Sequence, residues 1–187
     1  LGEFGAKKAQ ILVGTQMIAK GHDFPDVTLV GILDADMSLH MADYRSVERT
    51  FQLTTQVAGR AGRATLGGKV ILQTYAPKHY VYEYVRKGDY KGFYEKEINL
   101  REVTKYPPFA TIMRVLVSGS DDAKAASVLK SVYERVCALR DAAPDKFIYL
   151  AYMRAPLKKI MDEYRMQILV RLVNGNDTDD IVDGIYR

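Results

Sequence analysis

A single cysteine, Cys137, stands among the 187 residues. It excludes an internal disulfide and any zinc site built from clustered cysteines, and it suits a reducing compartment. No apolar run approaches the roughly 18 residues needed to span a bilayer, and no charged-then-apolar leader opens the chain. Strong charge of either sign is missing too: the formal net charge is +4, which permits an anionic partner without requiring one. Of the histidines, His40 and His79 lack ligand spacing and are expected at the surface. The phosphate-loop pattern Gly-x4-Gly-Lys-[Ser/Thr] is absent, because Gly67-Gly68-Lys69 is followed by Val70. Internal repeats and low-complexity segments are absent as well. What is present, 48% hydrophobic and 27% charged residues, is the composition of an ordinary globular protein with one large domain or two small ones. The expectation is a soluble, cytoplasmic protein. The chain opens on Leu1-Gly2-Glu3-Phe4 without an initiator Met and stops at Ile185-Tyr186-Arg187 within a helix-like pattern, as expected of a piece of a longer protein.

Apolar runs of strand length occur at residues 11–14, 27–33 and 69–74. Bounded by Gly, Pro and Asp, they read as interior strands of a parallel sheet. Between the last two, Val47, Phe51, Thr54, Val57 and Ala58 fall near one face of a helix. Gly62 and Gly67-Gly68 mark the turn that follows. Residues 78–105, rich in Tyr, Lys and Glu, read as two amphipathic helices broken near Gly88, with Tyr82, Tyr84, Tyr90 and Tyr94 packing them. Pro107-Pro108 predicts an extended break. Beyond it come a strand at 109–117 and a helix capped by Ser120-Asp121 and running to about residue 141. Its apolar positions are Ala125, Leu129, Val132, Val136 and Leu139. Cys137 follows a core position on this helix and reads as a small packing residue. Strands at 147–151 and 164–173 and a helix at 177–186 complete an α+β sandwich without a closing strand. The expected domains are 1–77 (α/β, parallel sheet), 78–105 (helical linker) and 106–187 (α+β).

The chemistry concentrates in two stretches. Residues 15–25 follow the first apolar run and so belong at the carboxyl edge of a sheet, where open α/β sheets bind ligands. In Gln56-Val57-Ala58-Gly59-Arg60-Ala61-Gly62-Arg63 the two arginines, three residues apart, share a face if both are helical, and the glycines are expected to admit close approach of another surface. Such guanidinium pairs suit the spread charge of a phosphoryl group in transfer. Asp34 and Asp36, at a strand end, fit metal binding or a loop-capping or interlobe salt-bridge role. Near the C-terminus, 164–173 alternates, with Met166, Ile168, Val170 and Leu172 toward the long helix and Arg165, Gln167, Leu169 and Arg171 on the other face. Lys158 and Lys159 are expected to join that second face from a preceding loop and, with Arg165, to contact DNA phosphates.

Thr15-x5-Gly21-x-Asp23, followed by Gln56-x2-Gly59-Arg60-x-Gly62-Arg63, resembles motifs V and VI of superfamily 2 helicases. The fuller wording narrows the likeness: Gly14-Thr15-Gln16-Met17, Gly21-His22-Asp23-Phe24-Pro25, Leu33-Asp34-Ala35-Asp36 and Asp43-Tyr44-Arg45. Together with Tyr106-Pro107-Pro108-Phe109, these resemble the primosomal replication-restart DNA helicases, the primosomal protein N′ family. The resemblance implies that 1–77 is the C-terminal part of a RecA-like helicase lobe 2. It also implies an ATP-dependent 3′→5′ helicase, using Mg²⁺, that restarts replication at stalled forks. Arg60, Arg63 and Gln56 would serve ATP hydrolysis; Gly21, Asp23 and Gly59 would face the nucleotide; Thr15 and Gln16 would contact the tracking strand. Implied partners are forked and single-stranded DNA, the single-stranded-DNA-binding protein and primosome proteins, with no membrane. The phosphate loop, the acidic Mg²⁺ box and the family's zinc cysteines are expected upstream. Asp162-Glu163-Tyr164-Arg165 lies in the wrong domain to be that box, and Tyr152-Met153-Arg154-Ala155-Pro156 has fewer prolines than the family pattern. The chain alone is therefore expected to lack ATPase activity and to hold no metal. The alternatives are a module that binds fork DNA or the single-stranded-DNA-binding protein, or a related superfamily 2 fork-remodelling translocase.

Overall fold

Thirteen residues from Ser46 to Ala58 form the main helix of the N-terminal part, because Ser46, Thr50, Phe51 and Thr54 recur on one buried side. The computed structural model describes residues 1–15, 26–59, 61, 68–175 and 178–186. It divides into two compact units, Leu1–Glu97 and Ile98–Arg187. Both units are mixed α/β, and each is described by itself.

In the first unit a short helix α1 (Gly2–Gly5) precedes β1 (Leu29–Ile32), α2 (Ser46–Ala58), β2 (Lys69–Leu72), α3 (Tyr80–Lys87) and the start of α4 (Tyr90–Thr104). Strands β1 and β2 pair in parallel, Leu29 opposite Lys69 and Ile32 opposite Leu72, as the two apolar runs predict. The expected burial is not met: Leu29 is 56% exposed and Ile71 51%. Nor do residues 11–14 form a strand, for Ile11 and Val13 are 79% and 83% exposed. A strand needs a ladder partner, and among the described residues the sheet consists of β1 and β2 alone. The core of this unit gathers Phe51, Val81, Tyr82 and Phe93, with the Phe51 and Phe93 rings stacked at 4.2 Å.

The helix pair is punctuated as the sequence predicts. Gly88, at φ 64°, closes α3 in the left-handed conformation, and the Asp89 N–H donates back to the Tyr84 carbonyl (3.0 Å). At the other end the His79 Nδ1 accepts from the Val81 N–H (3.3 Å). His79 is therefore a half-buried cap, not the surface residue its isolation suggests. Of the four tyrosines expected to pack these helices, Tyr82 is buried, whereas Tyr90 and Tyr94 are 64% and 52% exposed.

The second unit runs from the end of α4 through β3 (Ala110–Gly119), α5 (Asp122–Ala142), a single 3-10 turn at Pro144–Lys146, β4 (Phe147–Ile160), β5 (Glu163–Val173) and α6 (Thr178–Tyr186). Pro107-Pro108 is a cis peptide inside a tight turn, closed by the Phe109 N–H on the Tyr106 carbonyl (3.0 Å), rather than an extended break. The Asp121 carboxylate caps α5 by accepting from the Lys124 N–H (3.0 Å), where Ser120-Asp121 placed the helix start. The sheet is antiparallel in the order β3-β5-β4. Met166, Ile168, Val170 and Leu172 of β5 face α5 and pack with its Leu129 and Val136 in one core, as the alternation predicts.

Strand β4 departs most from expectation. It continues through Ile160, so Lys158 and Lys159 lie on a strand and not in a loop. Met161 and Asp162 both take positive φ, 49° and 64°, which makes a two-residue reverse turn between Ile160 and its partner Glu163. A register shift between Arg154 and Lys159 accommodates residues 155–158.

Candidate functional sites

Helix α2 carries the described part of the arginine motif at its C-terminus. Gln56 is exposed in its last turn, and Gly59 caps it at φ −65°. Among the described residues, a Cβ on Gly59 would meet the Thr55 and Gln56 carbonyls of its own helix, at 3.3 and 3.7 Å. Thr15 is exposed and outside regular structure. Gln16, Gly21, Asp23, Arg60 and Arg63 lie outside the described residues, as does His22.

The first unit also holds a network that sequence spacing did not reveal. Asp36 is fully buried. Its Oδ1 accepts from the hydroxyls of Thr74 and Tyr82, both at 2.7 Å, and its Oδ2 from the Tyr75 N–H at 2.6 Å. Thr74 Oγ1 in turn accepts from the Ala76 N–H (2.9 Å). Burial pushes the Asp36 carboxyl up, but these three donors outweigh it and hold the group below the usual carboxylate range. Burial first, and then the hydrogen bond to Asp36, pushes the Tyr82 phenol to about 12. The carboxylate thus fastens the exit of β2 to α3, which is the loop-capping reading of this aspartate. Among the described residues no group of three His, Cys, Asp or Glu side chains could hold a metal ion.

Asp43 anchors the start of α2. It pairs with Arg45 at 3.3 Å and Arg49 at 3.0 Å. Burial raises its carboxyl, yet the hydrogen bonds from Arg45 and the two guanidinium charges leave it lowered.

In the second unit the cations expected to share one face do not all do so. Lys159 lies opposite Tyr164 in the ladder; its ammonium is 5.1 Å from that ring and 2.9 Å from Asp162. It therefore stands on the Tyr164 side, while strand alternation puts Lys158 with Arg165 on the other. Arg171, on the Arg165 side, is not a free phosphate ligand. Its Nη1 donates to the Thr104 carbonyl (3.0 Å), and the guanidinium lies 4.5 Å from the Tyr106 ring and 5.8 Å from the Tyr149 ring. Arg154 is committed to Asp122 at the start of α5, through two bonds of 2.8 and 2.6 Å.

No helix among the described residues is long and apolar enough to cross a membrane. Residues 1–65 match the helicase conserved C-terminal domain, and residues 102–183 match the primosomal protein N C-terminal domain. The chain is 46% identical to the replication restart protein PriA of Bacillus subtilis over 91% of its own length and 21% of that protein. Identity to the protein of the same name from Synechocystis is 38% over 91% of the chain and 20% of the relative. For Treponema pallidum it is 39% over 90% and 25%. The chain thus spans about a fifth to a quarter of the curated relatives it matches. Two domain types in this order, with likeness running through both, identify it as a member of the primosomal replication-restart protein family.

Proposed function

We propose that this chain is the C-terminal portion of an ATP-dependent 3′→5′ DNA helicase, one that recognises stalled or forked DNA and restarts replication by primosome assembly in the cytoplasm. The observation that carries the reading is the helicase C-terminal domain over residues 1–65 followed by the primosomal protein N C-terminal domain over residues 102–183 within one chain. Arg60 and Arg63 supply charge to the phosphoryl group in transfer, and Gln56 orients the phosphates. Gly21, Asp23 and Gly59 border the nucleotide, and Thr15 and Gln16 follow the single strand. ATP hydrolysis requires the phosphate loop and the Mg²⁺-binding carboxylates of the longer protein, and zinc belongs to its cysteine-bearing region. Unwinding of a forked duplex by the longer protein, with and without ATP, tests the reading. Strand separation that needs ATP supports it, and a protein that binds the fork but never unwinds it contradicts it.

A second reading has its own support in the second unit. In the hairpin formed by β4 and β5, Lys159 pairs with Tyr164 on one side, and strand alternation puts Lys158 with Arg165 on the other. Those cations suit phosphate contacts to fork DNA and would let the C-terminal domain act as a binding module within the motor. The single-stranded-DNA-binding protein and primosome proteins are the further partners proposed for the whole protein.

A further inference from the structure

We propose that the face of the β3-β5-β4 sheet turned away from α5 holds a pocket that docks one unstacked base of a single-stranded nucleic acid. The proposal rests on the DNA-binding reading of the second unit and deepens it from phosphate contact to base contact. A cavity of about 250 Å³ opens there, lined by Tyr106, Ile112, Tyr149, Leu169 and Arg171. It lies just below the roughly 300–1,000 Å³ of sites for drug-sized ligands, a size for one ring system and not for a larger molecule.

The lining has the chemistry of a base site. Tyr149 is 41% exposed and offers a ring face, the platform on which bases of any sequence stack. Arg171 is fixed by the Thr104 carbonyl at 3.0 Å and by the Tyr106 ring at 4.5 Å, so its guanidinium plane is preset before a ligand arrives. Its Nε is buried and makes no hydrogen bond within the protein. Buried donors are rarely left so, which marks this guanidinium as a group not fully satisfied within the protein. Further along β5, Gln167 is 5% exposed and its Oε1 is likewise unpaired. The strand register places Arg114, Arg165 and Arg171 on this face, and alternation next to Lys159 adds Lys158, against the acid Glu163. A polyanion is therefore the favoured occupant, its phosphates near the cations and one base in the pocket.

The test uses the 187-residue chain, oligothymidylate, and an abasic oligonucleotide of equal length. Because the chain contains no tryptophan, Tyr149→Trp creates a single fluorophore, expected to be quenched by oligothymidylate and not by the abasic strand. Tyr149→Ala is expected to weaken oligothymidylate binding about tenfold while leaving abasic binding unchanged. Arg171→Lys keeps the charge, loses the fork and is expected to reduce the same preference; should it misfold, the exposed Tyr149 variants still decide. If the wild-type chain binds both strands equally and Tyr149→Ala changes neither, the pocket docks no base, although the phosphate contacts stand. If the wild-type chain binds neither strand, the DNA-contact reading of this unit falls, and the pocket with it.

Discussion

Asp36 shows how much one residue decides in the first unit. Its partners are 38 to 46 positions away, and local periodicity carries no trace of them. The sequence placed the aspartate at a strand end and left its role open between metal binding, capping and an interlobe pair; only the fold brings Thr74, Tyr75 and Tyr82 to it. Asp36→Asn puts an amide NH₂ against one of the three donors, so the variant is expected to lose about 1–3 kcal/mol of stability, measured by urea denaturation. Because the folded-state pKa is lowered, this carboxylate's contribution is complete above its ordinary value and lost as the pH falls through the folded value. His79 acts at milder pH. Burial lowers its pKa against the opposing charges of Asp36 and Glu97, and protonating Nδ1 removes the acceptor that caps α3. The folded state then binds fewer protons than the unfolded one, so stability is expected to fall as the pH drops below about 6.5. His79→Asn, which keeps a capping acceptor without a titrating ring, should flatten that part of the pH profile; an unchanged profile assigns it to another group.

At the scale of elements, legibility followed the periodicities. The apolar positions of α5 and the alternation of β5 both found their partners, since a face buried against one layer leaves a regular imprint. Gly88 was equally readable, because a left-handed helix end favours glycine. A Cβ there would meet nothing within 4 Å, which isolates the backbone cost. Gly88→Ala is expected to lower stability by roughly 1–2 kcal/mol, read from a thermal melt, and Gly88→Asn to lose less. The extent of β4 was not readable, because its turn is Met161-Asp162 and not a glycine-bearing pair, and because a register shift interrupts the alternation. Residues 11–14 misled in the opposite sense: their composition is that of a strand, but an apolar run becomes a strand only where a ladder partner lies beside it.

Across the whole molecule, the two units carry different shares of the proposed work. In the second unit, each phosphate contact removed should take close to one unit from the salt slope of DNA binding. A Lys158→Ala/Lys159→Ala/Arg165→Ala variant is therefore expected to bind forked DNA more weakly and with a shallower salt dependence than the wild-type chain. Unchanged affinity and slope would turn this hairpin toward protein docking. The candidate nucleotide residues were legible only through ordered resemblance, since no spacing rule alone distinguishes a phosphate-sensing arginine from a solvated one. Gln56 and Gly59 stand exposed at the end of α2, the approach from which Arg60 and Arg63 follow in sequence.

If this chain supplies the arginines of an ATP-driven motor, DNA-stimulated ATP turnover by the longer protein depends on them. With Arg60→Ala and Arg63→Ala combined, nucleotide binding should be largely retained while turnover falls roughly 10³-fold or more, as on loss of an arginine finger. A double variant that hydrolyses ATP at close to the wild-type rate would show that these arginines do not serve the motor.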